Sequence, residues 1–438
     1  MAVHEVGVGL IGFGTVGTGM IRGLQRNGDL IERRTDIRLV LRRIADLDIT
    51  TPRPVQVDPQ ILSTDAEALI EDPAVQIVVE LIGGTTVARD LTLKALRMGK
   101  PVVTANKALL AKHGGELYRV AEENEADLYY EASVAGGIPI IRSLREGLVA
   151  NHIDSIYGIL NGTCNYILTR MEEEGLAFDD VLAQAQAMGF AEAEPSLDID
   201  GHDTAHKTAI LASLAYGLPV SLEQIRVRGI RGIDADDLRY ARELGFRIKL
   251  LGIVMHDAEA GDVTPMVQPT LIPLGHPLAA VGGVYNAVLV RGDVVGDTMY
   301  SGRGAGADAT GSAVLGDLVD VARNLVSESE LRIPAFVEHA HYGEVRSPDG
   351  LPASYYLRVS LLDQPGSLAR IATILGERNV SIAAMLQKTE PRIENHLPVV
   401  LIVEARREKD LREALDALNG LDVVGGSIVQ YRIERFPE

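Results

Sequence analysis

Apolar positions along this chain keep two different rhythms. Over the first 135 residues, short apolar runs alternate with helical stretches. "VGVGLIGFG" (6–14) runs into a glycine turn and "TVGTGMIRGLQR" (15–26) follows it as a helix. "DIRLVLRRIAD" (36–46), "VQIVVELIGG" (75–84), "KPVVTAN" (100–106) and "ADLYYEAS" (126–133) supply further strands. Continuous apolar strands feeding helices predict a parallel α/β sheet covered on both faces. From 136 to 336 the rhythm loosens into helices mixed with alternating strands such as "RIKLLGIVMH" (247–256), which predicts an α+β unit.

Within that second unit, "DTAHKTAILASLAY" (203–216) predicts a helix that is apolar almost all round, as a helix buried on every side would be. Its first turn nevertheless carries Asp203 and Lys207. An exposed pair at this spacing is worth a few tenths of a kcal/mol and needs no explanation; on a buried helix it points to a site. A charged, proline-bearing stretch at 337–353 then reads as a linker. The last unit, 354–438, restarts as strand, helix, strand, polar loop, strand, helix, strand, a β-α-β-β-α-β order of ferredoxin-like type. A late helix at about 310–326 is a candidate to return to the first domain.

Composition narrows the function classes. With 438 residues the chain exceeds one ordinary core. Its 61 acidic against 42 basic residues give a formal charge of −19, which disfavours nucleic acid as a partner. No run approaches the roughly 18 apolar residues that span a bilayer. A single cysteine, Cys164, rules out an internal disulfide and fits a reducing, cytoplasmic setting.

Three segments carry candidate chemistry. "GFGTVG" places Gly12, Gly14 and Gly17 between a buried strand and a helix, with Thr15 and Val16 opening that helix. There, free N–H groups and the helix dipole attract a pyrophosphate, so a dinucleotide-binding Rossmann domain is expected at 1–135. Asp46 ends the second strand, where a carboxylate hydrogen-bonds the ribose 2′-OH and repels a 2′-phosphate. That favours NAD over NADP, although Asp46 lies farther from the glycines than usual and follows Arg42 and Arg43. "VVTANKALLAKHGG" puts Thr104, Asn106 and Lys107 at the C-terminal end of a strand, where open α/β sheets place ligands. Lys107 starts a helix, against the dipole, and so invites a functional reading.

Two further candidates are weaker. Cys164 in "LNGTCNY" would serve as the nucleophile of an acyl-forming semialdehyde dehydrogenase, yet no neighbour in sequence lowers a thiol pKa. "HDTAH" has histidines at i,i+4 but lacks the glutamate of a zincin helix.

Taken together, "GFGTVG", "VTANKALLA", "NGTCNYIL", "GFAEAEPSLDIDGHDTAHK" and the glycine cluster "GRGAG" resemble homoserine dehydrogenase, in the family's order and over essentially the whole chain. The C-terminal segment "LLDQPGSLARIATILGERNVSI" resembles an ACT domain. The resemblance implies an N-terminal Rossmann domain, a catalytic and dimerisation domain at 136–336 and a regulatory ACT domain. It also implies NAD(P)-linked interconversion of L-homoserine and L-aspartate 4-semialdehyde.

In that reading Lys207 donates the proton at the aldehyde oxygen, Lys107 assists, and Asp203 orients Lys207. Two neighbouring ammonium groups are expected to lower each other's pKa. Glu192, Asp198, Thr163 and Phe190 surround the substrate, where Phe190 replaces a tyrosine common in the family. Gly189, Gly304 and Gly306 approach the cofactor. A monovalent cation, Na or K, falls on Glu131, Val134, Gly136 and Ile138. Threonine is the expected effector, at Asp363, Gly366 and Asn379. A homodimer or homotetramer without a fused kinase is expected, in the cytoplasm, with neither nucleic acid nor membrane as partner. Two other readings stay open: Cys164-dependent chemistry, and a non-catalytic sensor of NAD and amino acids.

Overall fold

The computed structural model describes residues 3–387 and 395–436. The N-terminal sheet comprises β1 (His4–Ile11), β2 (Ile37–Ala45), β3 (Leu62–Ser63), β4 (Ile77–Glu80), β5 (Val102–Thr104) and β6 (Leu128–Tyr129). All six are parallel, in the order β3-β2-β1-β4-β5-β6. That is the doubly wound dinucleotide-binding topology, whose strand order reverses beside β1 and opens a crevice there. The first helix, Thr15–Thr35, runs well past the stretch expected from the sequence. β3 is a two-residue strand that no periodicity announces.

The helix Ala307–Val326 packs on this sheet rather than on its own neighbours in sequence. Val314, Leu315, Leu318, Val321 and Ala322 share one core with Val6, Val8, Leu10, Met20 and Ile21. Two glycines make the approach close: a Cβ on Gly19 would lie 1.9 Å from the Ala307 carbonyl oxygen, and one on Gly311 would lie 2.6 Å from the backbone of Gly19.

A second, ten-stranded sheet holds β7 (Ile153–Ile159), β8 (Arg226–Val227), β9 (Phe246–His256), β10 (Val263–Pro273), β11 (Tyr285–Gly292) and β12 (Gly296–Arg303). It continues through β13 (Ala353–Leu362), β14 (Val380–Gln387), β15 (His396–Ala405) and β16 (Val429–Ile433). The order is β12-β11-β7-β9-β10-β16-β13-β15-β14, with β8 also pairing β10. Within it, β13 to β16 and the helices Ser367–Glu377 and Glu408–Asn419 form the ferredoxin-like module expected from the sequence. The polar loop expected after β14 lies at 388–394, outside the described residues.

The stretch 337–353, expected as a linker, is largely exposed but held at a few points, and the two halves of this sheet pair directly. β10 and β16 pair in parallel through Thr270–Arg432 and Leu271–Ile433. Val345 bridges to Val263, and the His339 ring covers Gly217 so closely that a Cβ there would meet it at 2.3 Å. Buried Asp237, on the helix Ala235–Glu243, accepts two hydrogen bonds from Arg358 at 2.5 and 2.8 Å and one from the Tyr356 hydroxyl at 2.8 Å. These contacts reach across from the C-terminal module to the catalytic unit.

Candidate active site

The oily helix does form, as His202–Tyr216, and most of it is buried. Asp203 is 3% exposed at its first turn and works as a bridge. Its Oδ2 accepts from Lys207 Nζ at 2.8 Å and from Asn161 Nδ2 at 2.7 Å. Its Oδ1 lies 2.9 Å from Lys107 Nζ, which comes from the Rossmann domain. Lys207 Nζ also donates to the Leu160 carbonyl at 2.6 Å. An ammonium has three N–H donors, and these two partners leave one free.

Burial works against the charge on Asp203, but the Lys207 and Lys107 ammonium groups overcome it and hold the carboxyl well below the usual range. The expectation that two lysines depress each other therefore fails for Lys107. Burial opposes its charge, yet Asp203, with Asp198 and Glu192 beyond, raises its pKa above the ordinary lysine value. The carboxylate lies between the two cations, so attraction outweighs their mutual repulsion.

Around this centre the helix Gly162–Glu174 starts at Asn161, whose Oδ1 caps it by accepting from Cys164 N at 2.8 Å. The same side chain's Nδ2 donates to Asp198 Oδ1 at 2.8 Å, so one residue ties the helix start to both carboxylates. Burial and the nearby Asp203 charge raise the pKa of Asp198. Thr163 Oγ1 donates to the Phe190 carbonyl at 2.7 Å, and the Phe190 ring packs edge-on to Tyr166. Glu192, Gly189 and Phe190 are exposed at the rim, with Gly189 at φ +74°. Cys164 is fully buried and its pKa is pushed up by burial, which argues against a thiolate nucleophile.

The glycine turn suits a dinucleotide. Gly12 has φ +102°, and a Cβ on it would lie 2.7 Å from the Leu81 backbone. A Cβ on Gly17 would lie 2.3 Å from the Gly12 carbonyl oxygen, whereas one on Gly14 meets nothing within 4 Å. Gly12 and Gly17 are thus required by packing, and Gly14 leaves its face open. No side chain caps the helix that begins at Thr15 and Val16, so its first N–H groups stay available to an anion. Asp46 Oδ2 accepts from Phe13 N at 2.5 Å, inside the turn. Arg53, which no sequence signal marked, donates to the Phe13 carbonyl at 2.8 Å and braces the same loop.

Other expected residues fall in different places. Thr104 was expected at the cofactor, but it is fully buried with its hydroxyl bonded to Glu80 and Asn106, so its side chain lies behind the site. Asn106 caps the Lys107 helix through Leu109 N at 3.1 Å. Gly306, at φ +113°, precedes the helix Ala307–Val326. Gly304 leaves no room for a Cβ beside Asn286, which donates to the same Leu160 carbonyl as Lys207.

Val134, Gly136 and Ile138 lie in a buried turn after Glu131, with Ala135 and Gly136 both at positive φ. The Glu131 carboxylate accepts from Ile141 N and Arg142 N at 2.9 and 2.8 Å. Among the described residues no cluster of His, Cys, Asp and Glu could hold a metal ion, and no helix is long and apolar enough to cross a membrane. In the C-terminal module Asp363 and Gly366 follow the far end of β13. Asn379 precedes β14 beside the near end, where Val380 pairs with Ala405. One chain does not bring the three together.

A doubly wound sheet with an open glycine turn, facing buried Asp203 and Lys207 bridged to half-buried Lys107, defines an NAD(P)-dependent oxidoreductase. Family models agree: residues 12–131 match "Homoserine dehydrogenase, NAD binding domain", 139–319 match "Homoserine dehydrogenase" and 355–423 match "ACT domain". The chain belongs to the homoserine dehydrogenase family. It is 43% identical to the homoserine dehydrogenase of Pseudomonas aeruginosa over 99% of this chain and 100% of that one. For the enzyme of Bacillus subtilis the identity is 39%, over 99% of both chains. Its fold matches a homoserine dehydrogenase from Thiobacillus denitrificans with a TM-score of 0.91 at 41% identity, over 99% of each. A hyperthermophilic archaeal homoserine dehydrogenase in complex with NADPH matches with a TM-score of 0.61 at 28% identity, over 72% of this chain and 97% of that one.

Proposed function

We propose that this protein interconverts L-homoserine and L-aspartate 4-semialdehyde, with Lys207 as the proton-exchanging group. The observation that carries this reading is the Asp203 bridge between ammonium groups from two domains. With two donors fixed on Leu160 and Asp203, the remaining N–H of Lys207 is the one to meet the substrate oxygen. Lys107 closes the site from the cofactor side. Asp198 and Glu192 gather the amino and hydroxyl ends of the substrate, and Thr163 and Phe190 form its wall. The bound nicotinamide supplies or accepts the hydride. Steady-state turnover of homoserine with NAD and with NADP tests the reading, and no turnover with either nucleotide overturns it.

Asp46 favours NAD, since a 2′-phosphate would face its carboxylate. Gly12, Gly14, Thr15, Val16, Gly17, Asn106, Gly189, Gly304 and Gly306 make up the rest of the dinucleotide surface. A monovalent cation suits the turn at Glu131, Val134, Gly136 and Ile138. Among the described residues no hydrogen bond reaches the carbonyls of Val134 or Gly136, and hard carbonyl oxygens are what such an ion needs. The C-terminal module is read as an amino-acid sensor, with threonine as the effector. An effector that touched Asp363, Gly366 and Asn379 together would need a second copy of the chain, in keeping with a dimer or tetramer. The domain limits 1–135, 136–336 and 354–438 and a cytoplasmic setting complete the proposal.

A further inference from the structure

The motif "VVELIGG" contributes a strand and a turn to the fold, yet it buries a carboxylate that the mechanism above does not use. Glu80 ends β4, is 1% exposed, and has no cationic partner among the described residues. Burying an unpaired carboxylate is costly unless hydrogen bonds compensate it, and here they come from two directions. Oε1 accepts from Ile82 N at 2.9 Å and Gly83 N at 3.2 Å, which fixes the turn after β4. Oε2 accepts from Thr104 Oγ1 at 2.8 Å, on neighbouring β5. The Thr104 hydroxyl in turn accepts from Asn106 N at 3.0 Å. Asn106 then closes a ring, because its Nδ2 donates to the Gly84 carbonyl at 2.8 Å while its Oδ1 caps the helix at Leu109 N. Lys107 is the first residue of that helix.

We propose that Glu80 is a positioning residue for Lys107: its carboxylate locks the Ile82–Gly84 turn to Thr104 and Asn106, and so fixes the helix start that carries Lys107 to Asp203. The chemistry calls for a carboxylate. Both oxygens act only as acceptors, whereas glutamine would present an N–H either to Ile82 and Gly83 or to the Thr104 hydroxyl. Aspartate would stop one carbon short of all three donors. Gly83 and Gly84, at φ +73° and +77°, let the turn fold back over the carboxylate. Parallel strands align the two ends of the clamp, since Glu80 lies in register with Thr104.

This inference rests on the reading of Lys107 as a site residue, and the experiment separates the two. Turnover, KM for homoserine and for the dinucleotide, and the pH profile of kcat are measured for Glu80→Gln, Thr104→Val and Lys107→Ala. Thr104→Val keeps the shape and the Glu80 carboxylate but cuts the link to Asn106. Misplacing a charged group by an ångström costs up to about a hundredfold. Glu80→Gln and Thr104→Val are therefore expected to lower kcat by about tenfold or more, with both KM values within about twofold. They should also move the alkaline limb of the profile to lower pH, because a displaced Lys107 moves away from the Asp203 carboxylate that raises its pKa. A purely structural role would lower the amount of folded enzyme and leave that limb in place. The proposal is overturned if the limb stays put in both variants, or if the loss appears only in the dinucleotide KM. Should Glu80→Gln fail to fold, Thr104→Val decides alone. If Lys107→Ala itself turns over like the native enzyme, the reading of Lys107 fails instead.

Discussion

Lys107 Nζ and Asp203 Oδ1 meet at 2.9 Å although one belongs to the Rossmann domain and the other to the buried helix of the catalytic unit. The Rossmann domain and the buried helix of the catalytic unit are thereby joined at a charged contact, with Lys207 on the other oxygen of the same carboxylate. Replacing Lys207 by alanine is expected to lower kcat by about 100- to 10,000-fold, the usual range for a positioned proton donor. Asp203→Asn keeps the shape and removes the charge. Lys107 then keeps the burial that lowers its pKa and loses the partner that raises it, so its ammonium deprotonates at lower pH and the alkaline limb of kcat/KM moves down. Stopped-flow or steady-state pH profiles read both effects.

Cys164 gives the opposite expectation. Its thiol donates to the Asp198 carbonyl at 3.2 Å and is buried, with its pKa raised. Cys164→Ala is expected to keep kcat within about twofold, and brief treatment with iodoacetamide to leave the folded enzyme active, as burial withholds the thiolate. Loss of activity in either assay would restore the thiol chemistry.

Asp46 should set the nucleotide ratio. Asp46→Ser removes the charge proposed to face the ribose and is expected to move the ratio of kcat/KM values toward NADP by about fivefold or more, since one close unit charge is worth at least about 1 kcal/mol. The Phe13 N–H loses a carboxylate acceptor in the same variant, so affinity for NAD should fall as well. Parallel titrations with the two nucleotides show both changes.

Lys249 makes stability depend on pH. It is 2% exposed on β9, donates to Asn165 Oδ1 at 2.8 Å and the Val281 carbonyl at 2.7 Å, and burial pushes its pKa down to about 8. The unfolded chain then binds more protons than the folded one between about pH 8 and the ordinary lysine value, so this residue makes stability rise with pH across that window. The contribution is on the order of 3 kcal/mol. Lys249→Met lacks this contribution, so the difference in melting temperature between the native enzyme and the variant should shift in favour of the native enzyme as pH rises across the window.

Asp237 and Arg358 join the C-terminal module to the catalytic unit. Arg358→Met leaves the carboxylate buried with only tyrosine hydroxyls, at a cost of about 3 kcal/mol. Hydrogen exchange should accelerate along the helix Ala235–Glu243 and along β13, while the Rossmann amides keep their protection. Uniform acceleration across all three units would mean that the pair does not act locally.

Much of the site could be read from residues close in sequence. The glycine spacing of "GFGTVG" and the Asp203–Lys207 pair on an apolar helix are local patterns, and each specifies a local geometry whatever the rest of the chain does. Most of the C-terminal strands and helices follow their periodicity for the same reason. Glu80 and Arg53 were missed because their partners are distant in sequence. A glutamate after "VV" looks like any strand end until Thr104 arrives beside it, and Arg53 lies in an irregular loop without periodicity. Lys107 was singled out, but the sign of its pKa shift was not legible. Two lysines read as mutual repulsion, and only the fold inserts Asp203 between them.

The sequence by itself determined the elements, the order of the three units and the residue types that carry the chemistry, because helix and strand periods and glycine turns act over a few residues. The sequence offered the helix Ala307–Val326 only as a candidate to return to the first domain; tertiary structure decided that it does, where 337–353 is held, and that one carboxylate serves two cations. Those outcomes depend on burial and Coulomb attraction between groups far apart along the chain, and no local pattern records which distant surfaces will meet.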